Sequence, residues 1–527
     1  MKTFLFRLTI FYFACCFTYI SALSAPARPG TYVANKEITL IPVELRFQHE
    51  SINFVPDPNF PNEAETLGFS SIIADFAISE QFGFEFGSYG ATVGHRGGFI
   101  AAGVGISHHF NLFSPYFGIR SSFFVGGGGG KNAIVTAKSG LMLRPAIEAR
   151  LEFQQANIGI GYSYVTYPTG TVKGHQPYAS LSLPTDIEFA DQIEGKTVAH
   201  KKQSKLTKNR IRFAGSHKYY KSKGLLDDSG DPLPGDIRLM GAVFSRSIRQ
   251  SDFVYHLELF GAYSGSVAGY MSVANGIGYE IPISNWMFIN PTFLIGYAGG
   301  GGVDTEGGFI IEPKLVTWFP IGRTDISLYA SVSKMWSQTG SFDVPTFELG
   351  VGTILDNIIA EGPTSYSRSF FIRSNRSLRD YKFSVSHQRY FSANTLRKGS
   401  KTQRLPNTDL LGLNINWYSN DWLFFNGGTY WAYGGDSGAY ASGLVGGGLH
   451  FQMGAAYFEP QVNVGAGAGG GIPSGQALLY KLKASLGVNF SQKYSAFISA
   501  SSLSFVGAEG FKTAEVGISR HFSQLDL

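Results

Sequence analysis

Three glycine clusters recur along this chain at nearly regular intervals, and this repetition constrains the fold more than any other feature. The clusters are Gly126–Gly130, Gly299–Gly302 and Gly467–Gly471, and they follow Ser114-Pro115, Asn290-Pro291 and Glu459-Pro460. The prolines lie about 170 residues apart, a length that suits one small β-barrel. A repeated unit has to be interpreted as one architecture before a site is sought inside it.

The first 25 residues have the pattern of a secretory signal rather than of a folded segment. The pattern consists of positive charge at Lys2 and Arg7, an apolar stretch over 8–20 and a cleavage region at Ala22-Leu23-Ser24. Both cysteines of the chain, Cys15 and Cys16, lie inside it. We expect residues 1–24 to be removed, which leaves a mature chain without a disulfide or a cysteine metal site.

The composition favours a protein whose outer surface meets lipid. The chain has 66 glycines and 15% aromatic residues, and only 15% of its residues are charged, compared with about 25% in soluble proteins. No apolar stretch after the signal is long enough for a membrane-spanning helix, which needs about 20 residues. The net charge of +5 is small for this length and predicts no nucleic-acid partner.

Several segments alternate apolar and polar side chains, which places the two kinds on opposite faces of a β-strand. In the clearest segment, one face carries Leu141, Leu143, Pro145, Ile147, Ala149, Leu151 and Phe153, and the other carries Arg144, Glu148, Arg150 and Glu152. Segments 43–48, 82–87 and 411–417 alternate in the same way. A soluble sandwich also alternates, but an apolar outer face with a polar inner face is typical of a transmembrane β-barrel.

The connections between these predicted strands alternate in length. Those after the first strand of each repeat cover about 51–65, 221–236 and 392–409, whereas the turns that follow the second strand cover 79–81, 250–252 and 419–421. Outer-membrane barrels have short turns at one rim and longer loops at the other. The loop pattern is therefore the strongest indication of a membrane barrel.

With its signal, amphipathic strands, loop pattern and a final segment 515–522 that ends in Phe522, the chain resembles the outer-membrane β-barrel proteins of Gram-negative bacteria as a class. Five residues follow Phe522, so the usual aromatic end is displaced. The resemblance implies a place in the cell outer membrane after signal cleavage. It also implies contact with outer-membrane lipid and lipopolysaccharide, and folding by the barrel-assembly machinery.

Three β-barrel repeats of about eight antiparallel strands are expected at 36–190, 206–355 and 378–523. They can form one barrel of about 24 strands, which is within the known range, or three tandem eight-strand barrels, each filled by its own side chains. The linkers 184–210 and 353–380 are long enough for independent modules, but chains with several closed barrels are rare, and we favour the single barrel. A barrel of that width needs a plug, either these linkers or a periplasmic partner.

A histidine recurs on the first strand of each repeat, at His49, His217 and His387. It could act as the base of an outer-membrane lipid hydrolase, which also needs a serine and a carboxylate beside it. The adjacent Ser216 and Ser386 point to the opposite face. We therefore expect lumen-facing histidines in a hydrogen-bond network rather than catalytic ones.

Glu348 and Glu515 occupy matching positions on the last strand of two repeats. Because an unpaired charge in a confined interior is costly, we expect them to pair with a cation such as Lys334, Arg323 or Lys512. The glycine clusters lack the flanking residues of a phosphate-binding loop, and we expect them to let strands bend and neighbours approach closely. Aromatic residues 430, 431 and 433 are predicted to form a girdle at a membrane rim, with a carbohydrate-stacking surface as the alternative.

The function that these features favour is a non-enzymatic channel or translocation pore, without cofactor or metal. The residues expected to line its lumen are Arg120, Arg144, Glu148, Arg150, Glu152, Glu348 and Glu515. Two alternatives stay open. One is a non-conducting structural or surface-binding protein made of tandem small barrels, and the other is a lipid-modifying outer-membrane enzyme.

Overall fold

The computed structural model describes residues 38–525 except 54–65, 115, 131–135, 154–155, 191–205, 223, 249–250, 265–266, 285, 322–325, 361–377, 393–394, 419–420 and 492. The predicted signal, Pro115, Arg323 and most of both linkers therefore lie outside the described residues. Among the described residues, no helix is long and apolar enough to cross a membrane.

The described residues form 26 strands in three groups. The first group is β1 (Ile38–Asn53), β2 (Thr66–Ala77), β3 (Phe82–Val93), β4 (Ile100–Ser114), β5 (Phe117–Gly129), β6 (Leu141–Glu152), β7 (Asn157–Thr166) and β8 (Lys173–Ala190). The second is β9 (Leu206–Tyr220), β10 (Ile237–Ser247), β11 (Phe253–Ser264), β12 (Met271–Tyr279), β13 (Ile281–Ser284), β14 (Met287–Gly299), β15 (Phe309–Pro320), β16 (Ile326–Ser337) and β17 (Asp343–Ala360). The third is β18 (Leu378–Phe391), β19 (Thr408–Tyr418), β20 (Leu423–Gly434), β21 (Ala441–Leu449), β22 (Phe451–Met453), β23 (Ala456–Ala468), β24 (Leu478–Asn489), β25 (Tyr494–Phe505) and β26 (Ala508–Leu525).

Each group closes on itself by antiparallel pairing of its first and last strands. β1 pairs with β8 from Ile38↔Ala190 to Glu50↔Tyr178, and β9 with β17 and β18 with β26 pair in the same way. The short strands β13 and β22 only add to the short-turn ends of β14 and β23. The chain therefore forms three closed eight-strand barrels, which we call barrels 1, 2 and 3.

The three-barrel alternative is confirmed, and the single barrel of about 24 strands that the sequence favoured does not form. A single barrel would require β8 to pair with β9 and β17 with β18. Instead, the last strand of each group pairs with the first along most of its length, because eight strands already enclose an interior that side chains can fill. Among the described residues, the one pairing between barrels is Ser523↔Ala190.

The two ends of every barrel differ. The rim where β1, β9 and β18 end, which we call the long-loop rim, carries connections such as 221–236 and 392–407, whereas the opposite, short-turn rim carries connections such as 78–81. Exposed aromatic side chains gather at the short-turn rim, as Phe82, Tyr116, Phe153, Phe253, Trp286, Trp422, Phe451 and Phe490. Aromatic belts of this kind mark membrane–water interfaces.

The outer surface of each barrel is divided into two parts. The last three strands alternate between buried and exposed residues, and their exposed side chains are apolar. These include Ile147, Leu151, Ile158, Ile160, Leu315, Leu328, Val332, Leu349, Leu482, Leu486, Ile498 and Ile518. The second and third strands are instead buried on both faces over most of their length, because another barrel covers them.

The three barrels contact one another in a cycle. The third strand of each barrel lies against the fifth strand of the next, so that β3 meets β14, β11 meets β23 and β20 meets β5. One apolar cluster runs through the contact and joins residues of all three barrels, such as Tyr89, Tyr297 and Trp431. The chain thus has the arrangement of a trimer whose subunits are covalently linked.

Glycine makes this close contact possible. A Cβ atom on Gly90 would lie 2.1 Å from the ring of Tyr297 in barrel 2, and one on Gly98 would lie 2.2 Å from the backbone nitrogen of Gly300. The glycine clusters end the fifth strands, as the sequence predicted, and their closest neighbours include other barrels. Gly127 packs against Trp431 of barrel 3. Small residues play the same part where transmembrane helices pack.

Candidate functional site

The barrel interiors hold most of the buried charge of the protein and are the site that the sequence indicated. In barrel 1, the interior contains four buried arginines, each beside a carboxylate. The pairs are Arg46 with Glu85 at 3.1 Å, Arg120 with Asp75 at 2.8 Å, Arg144 with Glu50 at 2.8 Å, and Arg150 with Glu44. The guanidinium group suits this role because its planar fork can contact both oxygens of a carboxylate. Arg144 does so with Glu50.

Barrel 2 uses lysines for the same purpose. Lys218 Nζ lies 2.7 Å from both Glu258 and Glu312, and Lys314 Nζ lies 2.5 Å from Glu348 and also contacts Glu258. Three carboxylates thus surround two ammonium groups, and all five side chains are at most 1% exposed. Ser216 donates a further hydrogen bond to Glu348. This network links four of the eight strands across the interior.

Barrel 3 contains two smaller groups. Lys382 Nζ lies 2.5 Å from Glu459, which His450 also contacts at 2.9 Å. Lys483 Nζ lies 2.9 Å from Glu515, which also accepts a hydrogen bond of 2.7 Å from Ser386. Between the groups lies a cavity of about 10 Å³, which holds about one water molecule.

The residues predicted to line a lumen face the barrel interiors, where most of them pair with buried side chains of opposite charge on other strands. Arg120, Arg144, Glu148 and Arg150 are at most 2% exposed in barrel 1. Glu152 is more open, with 29% of its side chain exposed near the short-turn rim. Because these charges are paired at contact distance, the interior is a packed core of ion pairs. The face of each residue follows from its phase in the strand, whereas its partner does not.

Glu348 and Glu515 pair with cations other than the predicted Lys334, Arg323 and Lys512. Their partners are Lys314 and Lys483, which stand at equivalent positions two strands away, because β15 and β24 pair alike with the fifth strand of their barrels. Lys334 instead pairs with Asp343 at the surface. Lys512 donates to Ser502 on the outer face. Alternation could have excluded both, since each lies out of phase with the interior residues.

The recurring histidines lie on the outer face, so the prediction that they face the lumen is wrong. His49 and His217 are exposed and His387 is partly so, while Gln48, Ser216 and Ser386 beside them point inward. His49 Nδ1 lies 3.0 Å from Ser70 Oγ, a contact between adjacent strands that adjacency in sequence could not reveal. His387 contacts the Tyr433 hydroxyl.

The predicted aromatic girdle at 430–433 is also wrong for two of its three members. Tyr430 faces the interior of barrel 3, where its hydroxyl donates to Asn414 at 3.0 Å. Trp431 is fully buried between barrels, and its indole N–H donates to Thr429 at 2.7 Å. Neither ring is therefore available to lipid or to a carbohydrate.

No protein-family model and no curated protein matches the chain. Among solved structures, OpdQ of Pseudomonas aeruginosa is 9% identical with a TM-score of 0.21, over 92% of this chain and 98% of its own. The siderophore receptor PirA of Pseudomonas aeruginosa is 10% identical with a TM-score of 0.26, over 94% of this chain and 81% of its own. These are outer-membrane β-barrel proteins, the class that the sequence resembles. At such TM-scores the matches carry no argument, and the fold assignment rests on the strand pairing.

Proposed function

We propose that this protein is an integral outer-membrane protein whose barrels are each closed, and that it serves as a structural or surface-binding platform. The observation that carries the proposal is the packing of each interior by its own buried ion pairs. The apolar outer strands and the aromatic belt support a place in the membrane. The long-loop rims of three barrels, held side by side, offer one broad surface to the outside.

A pore through a barrel is the second candidate, favoured by the charged character of the interiors. It requires the pairs to separate, for example Lys382 from Glu459, which contact at 2.5 Å. Breaking a buried pair leaves a charge without compensation and costs about 3–5 kcal/mol. Spontaneous opening is therefore rare, and a platform fits the geometry better.

Recording from single proteins in a planar lipid bilayer separates the two candidates. We expect the wild-type protein to give no conductance steps. Removing an interior pair by combining Lys382→Ala with Glu459→Ala is expected to create small steps, because it clears part of barrel 3. Discrete steps from the wild-type protein at moderate voltage would rule out the platform.

We also propose that the protein is not an enzyme. His49 and Ser70 have the contact that a hydrolase needs between base and nucleophile, but among the described residues no carboxylate contacts His49 to orient it. The other repeats place Met240 and Leu411 where barrel 1 has Ser70. We expect His49→Ala to leave the acylation pattern of lipid A unchanged in mass spectra. An altered pattern in both His49→Ala and Ser70→Ala would contradict this.

A further inference from the structure

The outer face of the eighth strand differs among the three barrels. Equivalent positions follow from the pairing with the first strand, in which His49, His217 and His387 lie opposite Ala179, Leu349 and Val516. From the long-loop rim downward, this face carries Lys173, His175, Pro177 and Ala179 in barrel 1, Asp343, Pro345, Phe347 and Leu349 in barrel 2, and Gly510, Lys512, Ala514 and Val516 in barrel 3. Barrels 1 and 3 each have a lysine on this face near the rim, Lys173 and Lys512, and a short side chain below it, Pro177 and Ala514.

Barrel 1 has a groove at this place, with a volume of about 1000 Å³. Its floor is formed by Pro177 and Ala179 of β8, and the exposed apolar side chains of Ile160 and Tyr162 on the adjacent strand β7 form a wall. The side of the groove along β1 is polar and contains His49, Ser51 and Asn53. His175 lies on the same strand face, two residues or about 7 Å above Pro177.

Barrel 3 has a second groove, of about 820 Å³, which lies over β24 and β25 and reaches Lys512 of β26. Small residues such as Ala484, Ala500 and Ser502 line it, and Val462 and Leu482 rise beside them. Lys512, at the position equivalent to His175, lies at its end toward the long-loop rim. Its ammonium group is exposed and donates to Ser502 at 3.1 Å.

We propose that each groove binds one acyl chain of lipopolysaccharide, with a phosphate of its lipid A next to His175 and Lys173 in barrel 1 and next to Lys512 in barrel 3. This inference rests on the proposed function, because the strands must cross the outer membrane with the long-loop rim outward. The apolar floor fits an acyl chain. A cation at the membrane surface attracts an anionic headgroup, which an uncharged lipid does not have.

Barrel 2 provides the internal contrast. Phe347 and Leu349 stand where barrel 1 has Pro177 and Ala179, and the two residues are 46% and 53% exposed, so they protrude into the space of the groove. Asp343 replaces Lys173 and would repel a phosphate, although Lys334 pairs with it at 3.1 Å. The outer wall of barrel 2 is therefore suited to general contact with lipid but not to the specific binding of an anionic lipid.

Native mass spectrometry of the full-length protein in detergent, titrated with lipid A or with dephosphorylated lipid A, tests the proposal. We expect lipid A to be retained and the dephosphorylated form to be retained less. Grafting the residues of barrel 2 into barrel 1 as Pro177→Phe with Ala179→Leu is expected to remove one of the bound lipids. Lys512→Ala is expected to weaken the other by about fivefold, since a cation near the surface contributes about 1 kcal/mol.

Phe347→Leu, on the wall of barrel 2, is the matched control and is expected to change nothing. Heat-modifiable gel mobility shows whether each variant has folded. Equal retention by all folded variants, or equal retention of the dephosphorylated lipid, would overturn the proposal. If the wild-type protein conducted ions but still retained lipid A, the proposal of closed barrels would be wrong and the lipid-binding proposal would stand. The two proposals can therefore be tested separately.

Discussion

Two lysines of barrel 2 contact carboxylates in very different surroundings. Lys314 and Glu348 are both fully buried at 2.5 Å, whereas Lys334 and Asp343, at 3.1 Å, are each more than half exposed. A buried pair makes up for the desolvation of its charges only while both partners are present. An exposed pair contributes about 0–1 kcal/mol, because water screens it.

Lys314→Met is therefore expected to destabilise the protein by about 3–5 kcal/mol, since it leaves Glu258 and Glu348 without their shared cation. Lys334→Met, the matched control at the surface, is expected to cost about 1 kcal/mol or less. Urea unfolding of both variants in the same detergent, followed by tryptophan fluorescence, measures the difference. Similar midpoints for the two would mean that the interior network is hydrated and loose.

The alternation of apolar and polar residues predicted which way most of these side chains point, but not which residues they contact. The inward direction of Glu348 was predictable from its phase in the strand. Its partner was not, because Lys314 lies two strands away and the contact depends on how eight strands close. The partner of His49 was unpredictable for the same reason, because Ser70 contacts it only through the pairing of β1 with β2.

Strands that face lipid were easier to predict than strands between barrels. In β17, Phe347, Leu349 and Val351 alternate with inward residues and stay exposed on the outer face. In β11, most residues are buried on both faces, because the outer face meets barrel 3 instead of lipid. A sequence pattern records that a face is apolar but not whether lipid or protein covers it.

The assignment of the outer face of β17 to lipid leads to a prediction about depth. Leu349→Arg, far from both ends of its strand, is expected to destabilise the folded state by about 2–4 kcal/mol, whereas Tyr219→Arg near the long-loop rim is expected to cost about 1 kcal/mol or less. The reason is that a charge at the bilayer midplane loses its hydration, while one near the rim keeps it.

Unfolding in lipid bilayers, followed by gel mobility, measures both variants. The control is the same measurement in a short-chain detergent, where water approaches the whole surface. There we expect a smaller difference in destabilisation between the two variants. Equal costs for the two positions in bilayers would argue that β17 does not cross a membrane.

The choice between one barrel and three depends on pairing between distant segments, which no local pattern contains. The length of each linker pointed to separate barrels, whereas the rarity of such chains pointed the other way. What decided the outcome is that strands 1 and 8 of each repeat pair along their length. The contact between barrels could not be predicted from the sequence either. Glycine is required at position 90 only because the ring of Tyr297 from another barrel packs against it.

The cyclic packing can be tested by cross-linking, since the two cysteines of the chain both lie in the predicted signal. Ser139 of barrel 1 donates to Asp436 of barrel 3 at 3.3 Å, at the long-loop rim. With Ser139→Cys and Asp436→Cys, we expect a short bifunctional maleimide to join the two barrels. A protease site inserted into segment 361–377 makes the link visible, because cleaved protein then runs at full length on a denaturing gel.

The matched control combines Ser139→Cys with Ser491→Cys, which places the second cysteine of barrel 3 at the short-turn rim, beyond the reach of the reagent. Dilution before cross-linking separates links within one chain from links between chains, since only the latter depend on concentration. If the first pair links no better than the control at high dilution, barrels 1 and 3 do not stand side by side. The glycine clusters would then lack the close contact that explains why they recur at the end of every fifth strand.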